Sequence, residues 1–246
     1  ANPFRSDDLN GTVRIAPSSD VTLTIKGYYD WIHGANTPYS RVAGPQDYEY
    51  TVPFNALNLV NYRYRGVSAR LDATLGAGQK LSLIGSYDAR DGDSPDGEGD
   101  FGPLDLVRTA STDTLRTKTT ELRLDSTWNS QISTLFGLFY SNETTSAVAV
   151  TKINIFPPYP LVNTSTSGTN ADTYAAFGTV FWKPNTAWEV ALGLRYDHEN
   201  RRATGGINGI ELPSAQIKSN QVEPRLTLTR HWTGELMSYA SVSRGY

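Results

Sequence analysis

Residues 188–197 change character at every step, and this alternation restricts the chain more than any other feature. Trp188, Val190, Leu192, Leu194 and Tyr196 share one side of an extended strand, while Glu189, Ala191, Gly193, Arg195 and Asp197 share the other. A tight turn at Pro184, Asn185 and Thr186 joins it to an earlier strand, 174–182. A hairpin on a soluble core hides its apolar row. Here the row is about as long as the roughly 9–11 residues that cross a bilayer at a tilt, and Trp182 and Trp188 stand where it meets the turn. An opposite face with Arg, Asp and Glu beside Gly and Ala fits a lipid-facing strand whose back lines a polar lumen.

The unit recurs along the chain. Strand-like stretches lie at 12–16, 21–31, 67–75, 80–87, 120–128, 133–140, 174–182, 188–197, 222–232 and 236–246. The turns within pairs are short, at 17–20, 76–79, 129–132, 184–186 and 233–235. The connections between pairs are long, at about 34–61, 91–116, 143–170 and 201–219. This strict sorting predicts an all-β fold, an antiparallel transmembrane β-barrel, which the resemblance given below makes a partial one. It has about ten strands in five hairpins, with short periplasmic turns and long extracellular loops. Trp128, Trp182, Trp188 and Trp232 fall at short-turn ends. Tyr28, Tyr29, Trp31, Tyr62, Tyr87, Tyr140, Tyr174 and Tyr196 fall at or near long-loop ends. Two aromatic bands separated by Leu, Val and Ala are the girdles of a barrel. The competing reading is a soluble sandwich with aromatics at its ends.

Composition narrows the classes. No run of about 18 apolar residues exists, so no transmembrane helix is expected. A mean hydropathy of −0.42 does not oppose a barrel, because only alternate residues face lipid. Cys is 0, which removes disulfides and thiolate metal sites, and a net charge of −3 gives no basis for nucleic-acid affinity. Residues 1–8 lack a basic segment followed by an apolar one, so no signal peptide is expected. There is no Gly-x-Ser-x-Gly elbow, no His-Glu-x-x-His and no phosphate-cradling Gly loop. His33, His198 and His231 lie at strand ends in three different hairpins. The expectation is therefore no catalysis, no cofactor and no metal centre.

The polar face is predicted to carry Arg14, Lys26, Arg70, Asp72, Glu121, Arg123, Asp125, Glu189, Arg195, Asp197 and Arg225. Mixed charge in such rows cannot rest on an apolar core without a large desolvation penalty, so it needs a water-filled or protein-filled lumen. The plainer reading of each residue is a solvated sheet face. Residues 88–100 form a dense acidic cluster, read as a solvated external loop bridged through divalent ions to lipopolysaccharide phosphates. A specific Ca²⁺ site is the lesser reading, because Pro95 falls where an EF-hand needs a ligand. The apolar and proline-rich stretch 152–161 is predicted to fold over the barrel mouth, with Phe156 and Tyr159 as candidate ligand contacts. The alternative there is a loop packing on its neighbours.

Three segments carry a resemblance. Residues 120–126 followed by 136–140, the Leu-Gly-Leu-Arg-Tyr run within 188–197, and above all 222–226 with 239–246 resemble strands of TonB-dependent outer-membrane receptors. The resemblance implies a barrel of about 22 strands closed by an N-terminal plug domain. It also implies binding of ferric siderophores or other scarce nutrients outside the cell, and TonB-energised movement of the plug. Within that family the chain reads as an internal fragment of the barrel, without plug or TonB-contact segment. The expected partners are outer-membrane lipid and lipopolysaccharide, the plug of the same receptor, TonB through that plug, and an iron chelate. The alternatives are a passive or substrate-specific porin, an outer-membrane hydrolase with its triad spread over neighbouring strands, and a soluble β-propeller or lectin-like binding protein.

Overall fold

The computed structural model describes residues 4–35, 44, 55–76, 78–155 and 160–245. They form one antiparallel sheet without a helix. Its strands are β1 (Phe4–Ile15), β2 (Val21–Ala35), β3 (Leu59–Gly76), β4 (Gln79–Glu98), β5 (Val107–Thr127), β6 (Ile132–Ile153), β7 (Leu161–Asn185), β8 (Trp188–Ile207), β9 (Ile210–Glu211), β10 (Ala215–His231) and β11 (Met237–Ser243). Each pairs with its sequence neighbour, except that β9 is a short spur on β8 and β10 pairs with β8.

The short turns fall where the alternation breaks. Between β3 and β4, Gly76 and Gly78 take φ of 84° and 78°, a left-handed conformation that glycine adopts without a Cβ penalty. Asn129 and Asn185 close the next two turns by accepting backbone N–H bonds, from Gln131 and Ile132 and from Ala187 and Trp188 respectively.

At the other end the structure corrects the expected loops. Most of 91–116, 143–170 and 201–219 is strand, and the connections shrink to 99–106, 154–160 and a turn at 208–209 with a link at 212–214. β6 and β7 stay in register from Ile132↔Trp182 to Ile153↔Leu161, about 70 Å of paired strand. The apolar row Trp188–Tyr196 covers only ~26 Å of strand, or roughly 20 Å of height at a typical barrel tilt. Beyond that row polar residues fall on both faces, so the period-two signal fades while the Thr- and Val-rich β-propensity persists. Pro95, which cannot donate to a ladder, sits in a register shift between Ser94 and Gly97.

No packed core exists among the described residues. The buried apolar residues are Ala89, Ala171 and Ala175. The register assigns every side chain to a face, because directly opposed residues share one. Leu71, Leu83, Leu122, Leu138, Ala176 and Tyr196 stand on one rung of the apolar face. Leu192 and Leu138 are 59% and 58% exposed there, and a continuous apolar sheet face of this kind needs hydrocarbon against it rather than water. Replacing Leu192 by Arg, between Val180 and Leu226, is expected to cost about 2–4 kcal/mol in the intact barrel. Thr179→Asn on the opposite face is expected to cost little. Urea titration of barrels refolded into vesicles, read by heat-modifiable gel mobility, checks the contrast.

Candidate functional site

The polar face gathers the predicted charges more tightly than alternation alone implies. One rung runs Arg70, Ile84, Glu121, Phe139, Ala175, Asp197, Gln221. The next runs Asp72, Ser82, Arg123, Gly137, Phe177, Arg195, Glu223, and the third Thr74, Lys80, Asp125, Leu135, Thr179, Gly193, Arg225. Eight of the nine residues proposed for a lumen from β3 onward therefore lie on three successive rungs of one face. Glu189 stands apart near the short-turn end, paired with Lys183 at 3.1 Å. Arg14 joins the Arg70 rung through Thr24, and Lys26 lies one rung beyond it.

Between β3 and β10 this belt matches five bases with five acids. The bases are Arg70, Lys80, Arg123, Arg195 and Arg225, and the acids are Asp72, Glu121, Asp125, Asp197 and Glu223. Many pairs lie along a strand, two residues apart. Arg70 reaches Asp72 through two bonds of 2.9 and 3.0 Å. Arg195 reaches Asp197 through two of 2.7 Å, and Arg123 pairs with Glu121. Ser82 donates to Asp72 across the β3–β4 step, and Lys80 adds a 3.4 Å ion pair to the same carboxylate. Bidentate Arg–carboxylate geometry fixes these side chains upright on the sheet.

Two aromatic rings on this face were missed by the sequence reading, which looked there for charge. Phe139 and Phe177 flank the Arg195 guanidinium, with ring centroids 5.4 and 5.5 Å away. Phe177 lies flat over Gly137, where an added Cβ would come within 2.2 Å of the ring. Tyr28 crosses Gly66 in the same way to donate to Asp88 at 2.9 Å. The available signal was a glycine facing an aromatic on the neighbouring strand.

The acidic stretch 88–100 is not a solvated loop. Most of it is the outer half of β4, and its carboxylates have partners. Asp91 pairs with Arg65 at 3.0 Å and with Arg116. Asp96 binds Arg108 at 2.6 Å, and Arg108 also donates to the Asn55 carbonyl at 2.9 Å. Glu98 accepts the Asn55 N–H, and Asp100 accepts those of Gly102, Leu106 and Val107. The cluster ties the start of β3 to the 99–106 connection. Among the described residues no group of three or more His, Asp or Glu is placed to hold a metal ion. His33 and His198 instead meet Asn61 and Asn220 on the apolar face. Phe156 and Tyr159 lie outside the described residues.

The family described as "TonB dependent receptor-like, beta-barrel" matches residues 3–246. No curated protein matches the chain. Among solved structures, the ferric yersiniabactin uptake receptor of Yersinia pestis superposes with a TM-score of 0.77 at 15% identity, over 97% of this chain and 37% of that one. The siderophore receptor PiuA of Acinetobacter baumannii gives 0.75 at 12% identity, over 98% and 42%. The ferripyoverdine receptor of Pseudomonas aeruginosa, solved with ferripyoverdine, gives 0.70 at 14% identity, over 98% and 35%. The chain thus spans less than half the length of these structures, and at such identities the likeness is one of fold.

Two expectations follow from the geometry. Gly137→Ala should displace Phe177 and cost about 1–3 kcal/mol of barrel stability. The same change in a Phe177→Ala background should be neutral or stabilising by a few tenths of a kcal/mol, as Ala in a strand is better than Gly. A double-mutant cycle read by urea titration gives the sign. The second concerns acid. Asp91 lies outside the apolar band, and the Arg116 guanidinium bonded to it holds its carboxyl below the usual range against the opposing pull of desolvation. A depressed folded pKa stabilises above the unfolded value near 3.9 and is lost as pH falls through the folded value. Asp91→Asn should therefore destabilise by about 1 kcal/mol at pH 7. The gap to wild type should close below about pH 4, as measured by thermal melting across pH.

Proposed function

Because the chain belongs to the TonB-dependent receptor-like β-barrel family, we propose that it forms part of the wall of an outer-membrane receptor. The receptor takes up a scarce nutrient, first among them a ferric siderophore or another iron complex. The observation that carries this reading is the two-sided sheet. An exposed apolar face bounded by tryptophans at one rim and tyrosines at the other stands back to back with a charge-matched belt. In this role the apolar face meets outer-membrane lipid, and the short turns face the periplasm. The paired extensions of β4 to β8 project outside the cell.

The polar face then lines the lumen, with Arg70, Asp72, Glu121, Arg123, Asp125, Arg195, Asp197 and Arg225 at the depth of the membrane and Glu189 near the periplasmic end. Burying charge at that depth is tolerated where it faces water or a polar filling and is paired. A plug domain of the same receptor supplies such a filling, and TonB acts on the barrel's cargo through that plug. Phe139, Phe177 and Arg195 give the filling a flat, partly apolar contact within the charged belt. Phe156 and Tyr159, on the connection between β6 and β7, remain the proposed ligand contacts of the outer mouth. The role is binding and transport, without a chemical step. Support for an iron cargo comes from the neighbours, whose names are those of siderophore receptors.

A substrate-specific porin is the second reading, favoured by a belt whose charges already pair along their own strands and so need no filling. Deleting the gene in its host should abolish uptake of one radiolabelled ferric siderophore under iron limitation, and removal of TonB should have the same effect. Unchanged uptake of every iron chelate would overturn the iron reading. A steady open-channel conductance of the intact protein in planar bilayers would turn the assignment to a porin.

A further inference from the structure

The charge-matched belt gives way on its β1 side. Arg14 lies opposite Thr24, and Lys26 stands one rung further out, opposite Thr12 and Ser68. Lys26 has a paired strand on each side, yet no acid stands opposite it. The diagonal positions, roughly 7–8 Å away, are Asn10, Gly66 and two further cations, Arg14 and Arg70. Arg14 and Lys26 are exposed, and neither has a hydrogen bond or ion pair among the described residues. On the opposite face the adjacent residues Val13 and Ile25 pair with each other and, through Ile25, with Ala69. Both cations therefore stand at the depth of the apolar band and face away from it.

Together with Arg70 and Lys80 they line a recess of about 660 Å³ that also takes in Asp20 and Asp72. Asp72 is already engaged. Arg70 grips both its oxygens, Lys80 approaches at 3.4 Å, and Ser82 donates to it. Asp20 precedes β2 and lies about 20 Å along the strand from Lys26. The Arg70 guanidinium is bound through Nε and Nη2, and its Nη1 has no partner among the described residues.

We propose that this recess is an oxyanion seat on the lumen wall, which takes a polycarboxylate chelate of iron as it passes. The inference rests on the orientation given above, in which this face lines the lumen of an uptake receptor. Three features select a chelate over a fixed side chain. A cation at membrane depth without an acid beside it needs water or an anion that arrives. Arg14, Lys26 and Arg70 are spread over two rungs and three strands, so a single carboxylate cannot meet them all, whereas a ligand bearing several can. The recess also has the size of small-molecule sites, roughly 300–1,000 Å³. Thr12, Thr24 and Ser68 lie between the cations and bring hydroxyl donors to the same oxyanions.

The test is acetylation footprinting of the intact receptor in detergent, with a water-soluble acylating reagent, peptide mass spectrometry and citrate as the probe. Citrate should slow acetylation of Lys26 and leave Lys152, far out on β6, unchanged. Triethyl citrate, which keeps the skeleton without the charge, should protect neither. Arg14→Gln should raise the citrate concentration that half-protects Lys26 about fivefold, the worth of one partly exposed ion pair. Arg14→Lys, which keeps the charge, should match wild type, and added salt should weaken protection in both. Heat-modifiable gel mobility confirms that each variant is a folded barrel. Equal acetylation of a reactive Lys26 with and without citrate would overturn the seat and leave the receptor reading standing. A Lys26 that is unreactive with and without citrate is covered by a fixed partner within the receptor, which would overturn the assignment to cargo. Preferential labelling of Lys26 by a lipid-partitioned reagent would overturn the orientation, and the seat with it.

Discussion

The antiparallel hydrogen-bond ladder carries this structure. A soluble domain of similar length divides its stability between a ladder and a core, but among the described residues no such core exists. What remains is a single layer in which each long strand between the edges is satisfied on both sides by its neighbours. In hydrocarbon an unpaired backbone group costs several kcal/mol, so pairing there is a condition of existence rather than a gain. The two faces can then differ completely in chemistry, because neither has to pack against the rest of the molecule.

That separation explains what was legible in the sequence. Wherever one face meets lipid and the other meets polar surroundings, residues alternate, and Trp188 to Asp197 could be placed on its faces from the sequence alone. The register of β3 to β10 then aligned Arg70, Glu121 and Asp197, which are far apart in the chain, on a single rung. Rung membership depends on pairing offsets, which the sequence of one strand does not contain. Above the lipid both faces meet water and the alternation has no cause. The outer halves of β5 to β7 therefore read as loop, although their Thr and Val content favours strand.

Two local signals were present and unused. Asn208 and Gly209 take φ of 52° and 80°, the pair of left-handed residues that a two-residue hairpin turn requires. Asn-Gly is the strongest short signal for that turn, and it builds the small β9 spur. Gly137 and Gly66 leave places without a side chain on the polar face. Each is the floor on which a neighbouring aromatic lies down, Phe177 in one case and Tyr28 in the other. The carboxylates of 88–100 were misjudged for the opposite reason. Their density suggested an ion from solution, whereas Arg65, Arg108 and Arg116, remote in sequence, already supply the positive charge.

The equal count of acids and bases in the belt has an electrical consequence. A wall of one sign would attract ions of the other and hold them, as a charged column does. A wall whose dipoles are short and locally closed, as Arg195 with Asp197 and Arg70 with Asp72 are, has a potential that fades within a few ångströms of its surface. An object moving along the axis would meet no net pull toward the wall, whatever its own charge. Where such a wall lines a lumen, as proposed, it would be an electrically quiet sleeve, and discrimination between cargoes would fall to the parts that close the ends.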